Sequence, residues 1–151
     1  MSQNETSDYL LKECELVQNV ISRMANNQFY IKGWTITLVI ASLLLKGNVY
    51  HYLVAFIPLL IFWIYDSYFL RLEKLYRAHY NWIIDHKSEK NEFHLDIDKT
   101  RIENRLRKNL GNNFIKSVPC LRQTLFSKII FVFYFSIVIL VISAVIFDLV
   151  F

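Results

Sequence analysis

At 151 residues the chain has the length of one ordinary domain, yet 54% of it is hydrophobic, only 20% is charged, and the net charge is +4. A soluble domain seldom tolerates so apolar a composition, and the excess is gathered into long runs, so a membrane protein is expected. With three Gly in the chain and no HExxH or GxSxG, it lacks a phosphate loop, a zinc-peptidase helix and a nucleophile elbow, so neither catalysis nor a cofactor is expected.

Residues 1–28 carry Leu10, Cys14, Val17, Ile21 and Met24 at spacings of 4, 3, 4 and 3. This is the narrow stripe of an amphipathic helix that packs along another helix or lies on a membrane surface. It leads straight into the first apolar run, 29–46, of which only the thirteen residues Gly33–Leu45 are free of charge. That run reaches about 25 Å only if Phe29–Lys32 join the helix and Lys32 snorkels or finds a partner.

The six residues Lys46–His51 then separate it from the second run, 52–70, so the two form an antiparallel hairpin. The second run contains Pro58 and Asp66. Its eleven Leu, Ile, Val and Phe residues each favour insertion by about 0.3–0.6 kcal/mol, against about 2.5–3.5 kcal/mol for one central Asp, so insertion wins. Segment 71–122 is polar and helical in pattern. With no Gly or Pro between Tyr65 and His86, the second span is expected to continue as one long helix bearing Leu72, Leu75, Tyr76, His79 and Ile83.

"FHLDID" alternates apolar and polar residues and reads as a short strand or extended link. "TRIE" at Thr100–Glu103 reads as a capping box that opens a helix, with Ile102, Leu106 and Leu110 on one face and Gly111 closing it. Pro119 breaks the chain ahead of segment 123–151. There, Ile129–Phe147 supplies nineteen residues without a charge, about 28 Å of helix, which matches a hydrocarbon core about 30 Å thick. The fold expected is an all-α membrane protein: three transmembrane helices, an N-terminal amphipathic helix and a small helical cytoplasmic region.

Sixteen of the seventeen Lys and Arg lie before residue 33 or between Arg71 and Lys128, and only Lys46 lies at the hairpin tip. The positive-inside rule puts the N-terminus in the cytoplasm and, with three spans, the C-terminus outside a bacterial inner membrane. No cleavable signal peptide is expected in 1–28, which has neither a basic start nor an apolar core. Cys14 and Cys120 then face a reducing compartment and read as reduced thiols.

Four groups of residues are candidates for function. Lys32 and Asp66 both fall near the cytoplasmic end of their spans, and ionisable groups at that depth face one another, a bundle interior or water. They are expected to pair or to line a polar path. Gly33, Thr37 and Ala41 form a small-xxx-small stripe that favours helix association, within a protomer or between protomers. Lys99, Arg101, Arg105, Arg107, Lys108, Lys116, Arg122 and Lys128, opposed only by Glu103, give a local charge of eight minus one, or +7. This cluster reads either as positive-inside topology with attraction to anionic lipid, or as a site for a multivalent anion. His94, Asp96 and Asp98 could share one face of an extended strand as metal ligands, although a solvated face is the favoured reading and no metal is expected.

"ISRMANNQFYIKGWTITLV" at 21–39 and "DSYFLRLEKLYR" at 66–77 resemble small bacterial multi-span membrane effectors of anti-phage defence, most nearly the membrane effector of the Hailong system. The likeness covers the first half of the chain and, for the second half, only the layout. It implies a homo-oligomeric ion channel held shut by the nucleic-acid-like product of a nucleotidyltransferase partner. The basic segment would take that nucleotide or oligonucleotide, and the stripe from Leu10 to Met24 would be a candidate gate. The competing expectation is a non-conducting anchor that docks a cytoplasmic protein.

Overall fold

A computed structural model describes residues 3–44, 50–86 and 98–150, and every element among them is helical. In chain order these are α1 (Gln3–Leu44), α2 (Tyr50–His86), α3 (Lys99–Leu110), a 3-10 turn (Gly111–Asn113), α4 (Phe114–Ser117), α5 (Leu121–Leu125) and α6 (Lys128–Val150). The amphipathic segment and the first apolar run are therefore one uninterrupted helix. Likewise α2 carries on from the second run to His86 as expected, passing through Pro58 without a break. Most of the stretch read as extended, 93–98, lies outside the described residues, as do the candidate metal ligands His94 and Asp96.

Two of these helices contain a segment long and apolar enough to cross a membrane, Leu53–Asp85 and Lys128–Asp148. Helix α1 is not among them. Its apolar stretch is diluted by Gln28, Lys32, Thr35, Thr37 and Ser42, so composition alone supports two membrane-spanning helices.

The chain divides into two compact units. The first comprises Met1–Asn26 and Leu70–Cys120, the second Asn27–Phe69 and Leu121–Phe151. The divisions fall within two residues of the composition changes at 28, 70 and 122.

In the first unit, Val17, Val20, Leu72, Leu75, Tyr76, Ile83, Ile102, Leu106, Phe114 and Val118 are buried. Glu13 and His79 are buried among them, and His79 stacks on Trp82. Arg71 donates from Nη2 to Glu103 Oε1 at 2.9 Å, tying α2 to α3. The expected capping box is corrected here: the N-cap is Asp98, whose carboxylate accepts from the Thr100 amide at 2.9 Å. Glu103 does not reach back to the Thr100 amide, because it serves Arg71 and lies 3.8 Å from Arg107. Gly111 closes α3 as expected; at φ 48° it adopts a backbone that side-chain-bearing residues avoid, and its N–H bonds the Arg107 carbonyl. Asp98→Ala should therefore cost about 1 kcal/mol in thermal unfolding, with Thr100→Ala close to neutral; equal losses would contradict this cap.

The second unit has its polarity reversed. Thr35, Asp66 and Ser67 are 0% exposed, whereas Ile129 is 75%, Val132 65% and Leu53 61% exposed. Water would favour the opposite arrangement, since ionised groups are almost never fully buried unless paired and a large contiguous apolar surface marks an interaction surface. Lipid favours this one.

Candidate functional site

Three helices meet around Asp66 in the second unit. The Lys32 ammonium of α1 donates to Asp66 Oδ1 at 2.8 Å and lies 2.7 Å from Oδ2, which accepts no hydrogen bond among the described residues. The same ammonium stands 5.9 Å from the centre of the Phe133 ring on α6. Lys32 keeps 23% of its side chain exposed and Asp66 none, so the base reaches in from a partly open side to an acid that is enclosed. Helical periodicity explains the first partner group: Lys32, Thr35 and Val39 follow one another at spacings of three and four, on one face of α1. Thr35 donates its hydroxyl to the Ile31 carbonyl and lies beside the Tyr134 phenol.

Tyr134 is enclosed at 1% exposure, and Trp63 stacks on it with ring centres 6.0 Å apart. Trp63 also donates its indole N–H to the Leu125 carbonyl at 3.1 Å, which satisfies one of the carbonyls that the short α5 leaves without an intrahelical donor. One aromatic residue of α2 thus holds both the turn into α6 and the ring beside the ion pair. Ser67 turns its hydroxyl back to the Trp63 carbonyl, so its polar atom is satisfied within α2.

Sequence reasoning singled out Lys32 and Asp66 but missed Thr35, Ser67 and Tyr134. Thr35 had a signal, being one helical turn from Lys32. Tyr134 had a weaker one, as a phenol within an otherwise hydrocarbon-rich run.

The small-residue stripe has a different position from the pair. Gly33, Thr37 and Ala41 are all exposed, and a Cβ placed on Gly33 would meet nothing within 4 Å. Among the described residues the stripe faces outward, and the buried face of α1 is the one bearing Thr35 and Val39.

In the first unit, Val17 is buried and Leu10, Cys14, Ile21 and Met24 are half-buried. The centre of this face also includes Val20, which lies beside the chosen stripe, and Glu13, which an apolar pattern passes over because it is acidic. Of the basic candidates, Arg105 sits 5.7 Å over Trp82 and Arg107 5.6 Å over Phe114, so aromatic faces hold both guanidinium groups. Arg101, Lys108 and Lys116 are exposed. Arg122 and Lys128, also exposed, belong to the other unit, so the +7 segment is divided between two bodies. Among the described residues no group of three His, Cys, Asp or Glu is placed to hold a metal, and Asp98 is used as a helix cap.

No protein-family model, curated protein or solved structure matches this chain.

Proposed function

We propose that the chain is a membrane protein with three spans per protomer that assembles into a homo-oligomeric, gated ion pore, with the Lys32–Asp66 pair as a latch of the closed state. The observation that carries this reading is the Lys32–Asp66 ion pair, its acid fully buried, in a helical unit that exposes many large apolar side chains. In hydrocarbon such a pair is costly to keep, and a pair that opens to water gives an assembly a natural two-state element. Three helices enclose no aqueous path, so conduction requires several copies. The exposed Gly33, Thr37 and Ala41 stripe offers a surface on which backbones of neighbouring copies could approach closely.

In this reading the protein lies in a bacterial inner membrane with its N-terminus cytoplasmic and its C-terminus outside. The likeness of 21–39 and 66–77 to anti-phage membrane effectors supports a role in depolarising infected cells, under control of an anionic nucleotide or oligonucleotide made by a partner enzyme. The test is flux from liposomes bearing the purified protein, with potassium-diffusion potential as readout. Asp66→Asn should raise the leak by about tenfold, the population change that about 1.4 kcal/mol of lost closed-state stabilisation brings. A leak indistinguishable from protein-free liposomes for both wild type and variant would end the pore reading.

A second reading is favoured by the aromatic clamps on Arg105 and Arg107, which hold a basic face in a fixed form suited to docking. Here the protein is a non-conducting anchor for a soluble partner, and neutralising the bases between Lys99 and Lys128 releases that partner from membranes without any change in potential.

A further inference from the structure

A cleft of about 470 Å³ opens in the first unit between α2 and the α3–α4 corner. Its size lies in the range of small-molecule sites. Lys74, Arg77, Asn81 and Asp85 line it from α2, and Lys116 and Ser117 from α4. The charges are not equivalent. Arg77 is paired with Glu73 at 2.8 Å, while Lys74 and Lys116 place one cation on each wall.

Trp82 also reaches the cleft, but its ring is taken up by His79 and by the Arg105 guanidinium. The cleft therefore offers cations and hydrogen-bonding groups in place of an open aromatic platform, which is the wrong chemistry for stacking a base. Asp85 accepts hydrogen bonds and repels a bare anion, while Asn81 can donate or accept and Ser117 already turns its hydroxyl to the Asn113 carbonyl. Two lysines with an acceptor carboxylate suit a ligand with a phosphate at one end and hydroxyl groups at the other.

We infer that this cleft is a binding site for a hydroxyl-bearing phosphate ester. That chemistry is shared by a phosphatidylglycerol headgroup and a soluble glycerol phosphate. A second cleft of about 440 Å³, lined by Gln18, Ser22 and Tyr80, borders the first at Arg77 and Asn81. The site goes beyond the pore reading and stands whether or not the protein conducts, because it is tested by occupancy and not by flux.

The experiment is lysine footprinting of the full chain in nanodiscs, read by mass spectrometry after brief acetylation. In phosphatidylcholine discs, added glycerol 3-phosphate should slow acetylation of Lys74 and Lys116 several-fold while glycerol has no effect. In a parallel arm, phosphatidylglycerol replaces part of the phosphatidylcholine and no soluble ligand is added. Protection in the first arm identifies a soluble ligand and protection only in the second identifies a lipid; either upholds the site. Lys12, exposed on α1, should keep its reactivity throughout. Lys74→Gln should abolish the protection of Lys116, and Asp85→Ala should weaken selection of the ester over inorganic phosphate. Absence of protection in both arms, or protection of Lys12 equal to that of Lys74 and Lys116, would overturn the assignment.

Discussion

Lys32→Met alone should destabilise the protein in detergent by about 3–5 kcal/mol, because it strands a buried carboxylate without its counter-charge. Asp66 is 0% exposed and Lys32 is the cation that contacts its carboxylate, donating to Oδ1 at 2.8 Å. The double variant Lys32→Met with Asp66→Leu should recover most of the loss, since an apolar pair of similar size restores packing without the desolvation cost that the ion pair carries. Guanidinium unfolding of the detergent-solubilised protein measures both. A single variant that loses less than about 1 kcal/mol would mean that the carboxylate is solvated or protonated, and the pair would then have no claim to be a latch.

Leu106→Ala should cost about 2–5 kcal/mol, the second-largest effect expected. Leu106 and Ile102 are both 0% exposed and form the apolar face by which the twelve-residue α3 is held in its unit. A helix of that length is marginal by itself in water, so its persistence depends on this contact. The Arg71–Glu103 ion pair spans α2 and α3, but both side chains are about one-fifth exposed, and a pair so placed contributes about 1 kcal/mol or less. Hydrogen exchange separates the two contributions. Leu106→Ala should remove amide protection from Lys99–Leu110 while leaving α6 protected, and Arg71→Gln should change little. If Arg71→Gln exposed α3 to the same extent, electrostatics and not packing would be holding the helix.

The candidate site was legible to the extent that charge is legible. Lys32 and Asp66 stood out because hydrocarbon makes an isolated charge expensive, and counting residues from the polar ends put both at similar depth. Their neighbours carried no such penalty: Thr35 and Ser67 satisfy their hydroxyls on carbonyls one turn back, so only the one-turn spacing of Thr35 from Lys32 hinted at a polar cluster. Glu13 shows the reverse failure. An acidic residue breaks an apolar pattern on paper, although in the structure it lies on the buried face with Val17 and Val20.

What the amino-acid order determined by itself was the long helices, without the short α4 and α5: apolar runs of spanning length in α2 and α6, continuity of α1 and α2 where no breaker intervenes, and the stop at Gly111. These follow from local backbone preference and from the length of chain that hydrocarbon accepts. Only the tertiary structure decided rotation about each helix axis and the choice between rival caps. Helix α6 is apolar on every side, so no periodicity tells which of its faces carries Tyr134 inward, and the shape of its neighbours selects it. The same holds for Gly33, Thr37 and Ala41, which a sequence pattern could assign to either side of α1. The cap of α3 went to Asp98 over Thr100 because Arg71, distant in sequence, had already engaged the Glu103 that the alternative required.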